Sequence, residues 1–372
     1  MKFLIITHVL HKKKGNQWFG YAPYVNEMNL WLKYVDEVEI LAPVILGDIT
    51  EIESAYLHKN IKFVKVPSIA FISLKWILIS MLSIPIILFK LFKACRKADH
   101  IHLRCPGNIG LLGSVVQVFF PNKFKTAKYA GNWDPKSKQP LSYKFQKWIL
   151  ANTFLTKNMK VLVYGKWENQ SKNIKPFFTA TFKNIEKVTY KAKDYSAKVK
   201  FVFIGSLVKG KRPLLAIKLL EILKKQSKKV YLDIYGDGVL KDDLQKYILD
   251  NGIENNIILH GNKSKDVIKE ALKKAHFLLL PSKSEGWPKA VAEAMFFGVV
   301  PIATSISCVP YMLDYGKRGI LIEPNIEDMA AKVDYYLEFK PELQTISKLA
   351  LNWSQQYTLD VFETEIKKLL LS

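Results

Sequence analysis

Cysteine is scarce in this chain, and the three present, Cys95, Cys105 and Cys308, show neither paired nor CxxC spacing. That excludes a disulfide framework and a zinc cluster, and it fits a reducing compartment. No apolar run reaches the ~20 residues that a membrane-spanning helix needs; the longest, Trp76 to Phe89, is fenced by Lys75 and Lys90 and contains Pro85. The first ten residues hold a short apolar run broken by His8 and followed by Lys12 to Lys14, where a signal peptide would have a small-residue cleavage site. They read as a first buried strand. Internal repeats, low-complexity tracts and nucleic-acid reading motifs are also missing, so no nucleic-acid partner is expected.

Acidic residues are the other shortage. Against 56 Lys and Arg there are 33 Asp and Glu, a net charge of +23. The imbalance is uneven. Residues 1–198 carry 31 basic and 12 acidic residues, net +19, and the remainder carries 25 and 21, net +4. Like charge gathered on one half raises a potential that attracts anionic partners. Beside an apolar, aromatic helix it points to an anionic membrane surface, with a solvated lysine-rich surface as the plainer reading.

What is present is a chain of 372 residues, 49% of them hydrophobic, enough for two cores. Short charge-free apolar runs alternate with amphipathic stretches, the pattern of parallel sheets covered on both faces by helices. In the first half, strands are expected at 3–7, 38–42, 61–66, 101–103, 125–129 and 161–164, with helices near 22–34 and 73–97. A lysine-rich stretch, 184–198, reads as a linker. In the second half, strands at 201–205, 230–235, 257–260, 277–280 and 299–304 alternate with helices near 213–224, 240–249, 265–274 and 288–297. The expected architecture is therefore two doubly wound α/β domains, 1–190 and 191–353, with a final helix at about 354–372 packing back on the first. Gly205, Gly236, Gly238 and Gly261 sit where strands end, the edge at which such sheets place ligands.

The most informative segment is Pro281 to Gly298, PSKSEGWPKAVAEAMFFG: a strand end, a turn and a helix. Pro288 suits the first helical position, and the turn aims backbone N–H groups and the positive end of a helix dipole at the ligand edge, where a diphosphate would be stabilised. Glu285 precedes the helix and Glu293 lies about a turn and a half inside it, so two carboxylates address different parts of one extended, hydroxyl-rich ligand. Lys289 and Glu293, four residues apart, also fit a solvated helix-face pair.

The E-x7-E spacing of Glu285 and Glu293, inside a P-S-x-x-E-G frame that ends E-A-M, resembles the donor site of retaining glycosyltransferases of the GT-B fold, family 4. Phe203 to Lys211 (FIGSLVKGK) is similar to that family's phosphate loop, Tyr235 to Gly238 (YGDG) to its second-strand turn, and His260 to Asn262 (HGN) to the loop that approaches the base. The resemblance implies two Rossmann-like domains facing each other across a cleft. It implies that Glu293 binds the donor ribose, that Lys211 binds the diphosphate, and that Glu285, with the amides of Gly286 and Trp287, faces the transferred sugar. Gly205, Ser206, Arg212, Asn262, Pro288 and Lys289 complete the donor set. Ser206 stands where the family usually has an Arg, and Lys209, Arg212 or Lys289 could supply that charge. No metal or other cofactor is implied.

The same resemblance places acceptor contacts in the first half. His11 to Gly20 (HKKKGNQWFG) is expected as a flexible loop, with Gly15 and Asn16 at its tip. His102 is expected near the sugar hydroxyls as a catalytic group beside Glu285 and Lys211, with Arg104, Asn108 and Asn132 toward the acceptor. The implied activity is retaining transfer of a sugar from a nucleotide-diphosphate donor to a glycan or lipid-linked acceptor in bacterial surface polysaccharide synthesis, by a cytoplasmic enzyme lying on the inner face of the membrane. An epimerase or hydrolase on the same scaffold, and a noncatalytic lipid-binding scaffold, are the alternatives.

Overall fold

A computed structural model describes residues 1–69 and 73–371. The chain divides into two compact units, Met1–Phe177 with Glu363–Ser372, and Phe178–Phe362.

The first unit runs β1 (Lys2–Ile6), β2 (His11–Lys14), β3 (Gln17–Tyr21), α1 (Ala22–Trp31), β4 (Glu37–Ala42), β5 (Glu53–Ala55), β6 (Ile61–Lys65) and α2 (Leu74–Lys97). It continues with β7 (His100–Cys105), α3 (Asn108–Val116), β8 (Phe124–Tyr129), α4 (Leu141–Ala151), β9 (Met159–Tyr164) and β10 (Ile174–Phe177). Seven strands form one parallel sheet in the order β10-β9-β8-β7-β1-β4-β6. Its central strands are buried on both faces: Phe3, Leu4, Ile5, Ile6, Ile101 and Leu103 are all inaccessible. Each such side chain contributes roughly 1.5–3 kcal/mol relative to exposure, which is why these strands read as charge-free runs.

Two expectations for this unit are corrected. The segment His11 to Gly20 is no flexible loop. It is an antiparallel hairpin, β2 with β3, joined to β5. Gly15, at φ 58, takes the first of its two loop positions, as a type II′ turn demands. The hairpin is fastened by His11, whose ring meets the Val9 carbonyl at 2.7 Å and the Tyr56 hydroxyl at 2.9 Å, and by Lys12, paired with Glu53 at 2.9 Å. The helix expected near 73–97 is present as α2, 24 residues that continue through Pro85, but the expectation that no stretch here reaches membrane-spanning length does not hold. Helix α2 is long and apolar enough, by length and composition, to cross a membrane.

The second unit carries β11 (Val199–Ile204), α5 (Pro213–Lys225), β12 (Val230–Tyr235), α6 (Lys241–Asp250), β13 (Ile257–Gly261), α7 (Lys265–Lys274), β14 (Phe277–Leu280) and α8 (Lys289–Phe296). Then come β15 (Val300–Thr304), α9 (Val309–Met312), β16 (Ile320–Ile322), α10 (Ile326–Glu338), α11 (Lys340–Ser354) and α12 (Leu359–Leu371), whose last residues belong to the first unit. Six parallel strands lie in the order β13-β12-β11-β14-β15-β16. Strand order reverses between β11 and β14. The core is built on Phe201, Phe203, Phe277 and Leu279 from the strands and on Ile217 and Leu220 from α5.

The stretch 184–198 is no free linker either. Glu186 pairs with Lys269 at 2.8 Å and Lys265 at 3.5 Å, and the Tyr190 hydroxyl donates to the Gln344 side chain at 2.6 Å. Lys193 donates its ammonium to the Ala275 carbonyl, and burial pushes its pKa down to about 7. Between that value and the ordinary lysine range near 10.4 the unfolded chain binds more protons than the folded one, so this residue makes stability rise with pH across the window. Lys193→Met should abolish that contribution: the stability of wild type relative to the variant, from urea unfolding, is expected to climb between pH 7 and pH 10. A flat difference would contradict it.

Candidate active site

In an open doubly wound sheet, ligands bind beyond the carboxyl ends of the strands where the strand order reverses. In the second unit that point lies between the loop after β11, Gly205–Arg212, and the loop after β14, Pro281–Pro288. The two loops are fastened to each other. The Lys283 amide donates to the Gly210 carbonyl at 2.8 Å, and Arg212, held at φ 52 just before α5, donates from Nη1 to the Pro281 carbonyl at 3.4 Å. At their meeting point Lys211 Nζ lies 2.5 Å from Glu285 Oε1, the lysine partly exposed and the carboxylate buried.

Neighbouring turns hold this arrangement rigid. The Gly205 amide donates to the Tyr235 carbonyl at 3.0 Å and the Leu207 amide to the Asp237 carbonyl at 2.9 Å, lacing the turns after β11 and β12 together. Gly236 makes the close approach possible: at φ 142, a Cβ there would sit 2.0 Å from the Gly205 carbonyl oxygen. Beneath the second loop, Thr304 Oγ1 donates to the Ser282 carbonyl at 2.6 Å, and Cys308 Sγ donates to the Gly286 carbonyl at 2.8 Å. Burial pushes the Cys308 thiol well above its ordinary pKa, so it stays protonated. Among the described residues no group of three or more His, Cys, Asp or Glu side chains is placed to hold a metal ion.

The helix after the loop starts one residue later than expected. Pro288 is the cap and Lys289 the first helical residue; the Pro288 carbonyl accepts from the amides of Val291 at 3.0 Å and Ala292 at 3.3 Å. The amides of the first helical turn lack intrahelical acceptors, so this end favours an anion. Trp287 contributes its indole to packing, stacked on Trp353 with centroids 6.1 Å apart. Glu293 forms no ion pair with Lys289 among the described residues. It accepts a hydrogen bond from Thr181 Oγ1 at 2.7 Å. Thr181 was invisible to sequence reasoning, because nothing local ties residue 181 to a helix 112 positions later. Ser206, Lys209 and Asn262 are exposed on the same strand-end edge.

The candidates in the first unit fare differently. His102 is not at a strand end but inside β7, wholly buried. Its ring packs on Trp31 at 4.7 Å, and Nδ1 meets the Thr126 hydroxyl at 2.9 Å. Burial drives its pKa down to about 3, so it is a neutral core group. Arg104 is likewise held inside, at 3.1 Å from Glu27, whose other oxygen takes Lys128 at 3.0 Å. Asn132 closes a turn by accepting from the Asp134 amide at 2.9 Å. Gly15 and Asn16 form the hairpin tip. Asn108 lines a cavity of about 260 Å³, shared with His8, Gly107 and Tyr143. His8 follows β1 and Gly107 follows β7, the pair of strands at which this sheet reverses its own order. Gly107, at φ 149, leaves room for the His8 ring, whose Nδ1 would lie 2.5 Å from an added Cβ.

A poly(ribitol-phosphate) α-N-acetylglucosaminyltransferase of Staphylococcus aureus is 30% identical over 155 residues, 41% of this chain and 31% of the relative. The chain thus spans about a third of that protein's length in the match. Among solved structures, the lipopolysaccharide outer core galactosyltransferase WaaB superposes with a TM-score of 0.70 at 18% identity, covering 100% of this chain and 99% of the other. The Anabaena protein HepE, solved with UDP, gives 0.69 at 14% identity, covering 99% and 98%. The chain has the GT-B fold of two Rossmann-like α/β domains, and its residues 185–353 match the family described as Glycosyl transferases group 1.

Proposed function

We propose that the chain is a glycosyltransferase that moves a sugar from a nucleotide-diphosphate donor, with retention of configuration and without a metal, to a glycan or lipid-linked acceptor of bacterial surface polysaccharide. The carrying observation is the meeting of Lys211 with Glu285 at the point of strand-order reversal in the second unit. As the bond from the anomeric carbon to the diphosphate oxygen breaks, negative charge gathers on the leaving group. A cation and a helix N-terminus fixed there stabilise it more than they stabilise the bound donor. Glu293 receives the ribose hydroxyls, Glu285 faces the transferred sugar, and Arg212 and Lys289 add positive charge near the phosphates. The relative that acts on poly(ribitol-phosphate) and the galactosyltransferase of the lipopolysaccharide core support a surface-polymer acceptor. The UDP in HepE supports a uridine donor. The basic first half supports work at the cytoplasmic face of an anionic membrane.

Thermal unfolding with UDP, GDP, ADP and TDP tests the donor site. The cognate nucleotide at a hundredfold excess over its Kd is expected to stabilise the protein by about 2.7 kcal/mol. Glu293→Ala should lose most of that gain while Lys283→Ala, an exposed residue of the loop before that helix, keeps it. Equal stabilisation of both variants would misplace the ribose site. Formation of an isomeric sugar nucleotide without acceptor would identify an epimerase instead.

A further inference from the structure

Helix α2 has two unlike faces. Ser80, Ser83, Ile87, Leu91, Ala94 and Cys95, three or four residues apart, are buried against the first unit. On the opposite side Leu78, Leu82 and Phe89 are 63%, 77% and 70% exposed, and Met81 and Ile86 stand exposed between them. That stripe continues as exposed Lys93, Arg96 and Lys97. Strand β6, placed beside the helix by the bond from Lys90 Nζ to the Lys65 carbonyl at 2.7 Å, adds exposed Lys62 and Lys65. The helix contains no acidic residue.

An outward face that is apolar for its first half and cationic for its second matches the cross-section of an anionic bilayer, acyl chains below and phosphates above. Crossing the bilayer is a poorer use of the same helix, since Ile87, Leu91 and Cys95 would have to leave the core in which they are inaccessible. A second copy of this chain or an apolar protein partner would account for the leucines and not for the cations with no acid among them.

We infer that the outward face of α2 is the surface by which this protein lies on an anionic lipid bilayer, with Leu78, Leu82 and Phe89 in the headgroup–acyl boundary and Lys93, Arg96 and Lys97 at the lipid phosphates. This deepens the membrane-facing part of the proposed function, and it is tested apart from the donor site.

Co-sedimentation with phosphatidylcholine vesicles, with and without phosphatidylglycerol, tests it. Wild type is expected to bind the anionic vesicles, more weakly as salt rises. Leu82→Glu should reduce binding by on the order of tenfold, and Lys93→Glu with Arg96→Glu should remove the preference for phosphatidylglycerol. Because these side chains are exposed, nucleotide binding and unfolding temperature are expected to stay at wild-type values. Since Cys95, Cys105 and Cys308 are buried, an environment-sensitive dye on Leu82→Cys reports that position alone, and its emission should shift to the blue on anionic vesicles. Unchanged emission on bound vesicles would place the contact elsewhere. Wild-type vesicle binding by Leu82→Glu would overturn the assignment, as would a wild-type dimer that this variant splits.

Discussion

Lys211→Ala is expected to lower kcat/KM for the nucleotide-sugar by on the order of a hundredfold or more, with weaker nucleotide binding contributing to the loss. Glu285→Gln is expected to act in a different way. The carboxylate sits 2.5 Å from the lysine ammonium, so a diphosphate reaching for Lys211 arrives beside an existing negative charge. Removing that charge should leave nucleotide affinity equal or higher while kcat falls, because the group facing the sugar has changed. Lys211→Ala thus raises KM, whereas Glu285→Gln leaves it unchanged or lowers it. A salt bridge that serves only to hold two loops together predicts otherwise: both variants would lower stability alike, and neither would separate binding from turnover. Steady-state kinetics with calorimetric nucleotide affinities decides the matter, and kcat/KM within twofold of wild type in Lys211→Ala would end the proposal for this residue.

Glu27→Ala should be the most destabilising single substitution in the first unit. One buried carboxylate holds two cations, Arg104 at 3.1 Å and Lys128 at 3.0 Å, and Lys128 is wholly buried. Deleting it leaves two positive charges without their shared counterion in a poorly solvated place. Breaking one side of such a buried arrangement typically costs about 3–5 kcal/mol, which for a domain of this size lowers the melting temperature by roughly 10 °C. Glu27→Ala combined with Lys128→Met should recover part of the loss. A variant that melts with wild type would show that solvent reaches both cations.

These two predictions concern regions that sequence reasoning treated unequally. The donor loops were legible because each step has a local cause: β14, FLLL, is a charge-free run buried on both faces, a turn follows it, and Pro288 marks where the next helix begins. The central strands of the first unit were legible for the same reason. The placement of the candidate acceptor residues was not, because burial of a side chain in this stretch depends on where the strand ends. β7 runs to Cys105, three residues beyond His102, and carries His100, His102 and Arg104 on one face at period two. That face lies under α1, where Trp31 and Glu27 receive it. Beyond the true end, Gly107 and Asn108 line the cavity with His8.

The hairpin β2–β3 escaped because HKKK does not look like a strand: its lysines are charged and its burial is confined to one end. Its signal was present all the same in the two residues Gly15 and Asn16 between two extended runs. Helix α2 was half legible. Its apolar content announced burial, and only the assembled sheet shows that one face stays exposed among the described residues.

The last helix has a consequence for dissecting the molecule. Because α12 starts in the second unit and its final residues count with the first, where Lys33 and the Tyr34 hydroxyl meet Glu363 at 2.8 and 2.9 Å, the polypeptide passes from one unit to the other twice. A fragment ending at Phe177 would lack part of its own packing, and a protease cut near that residue would leave the halves tethered through the return passage. Only severing both passages sets them apart.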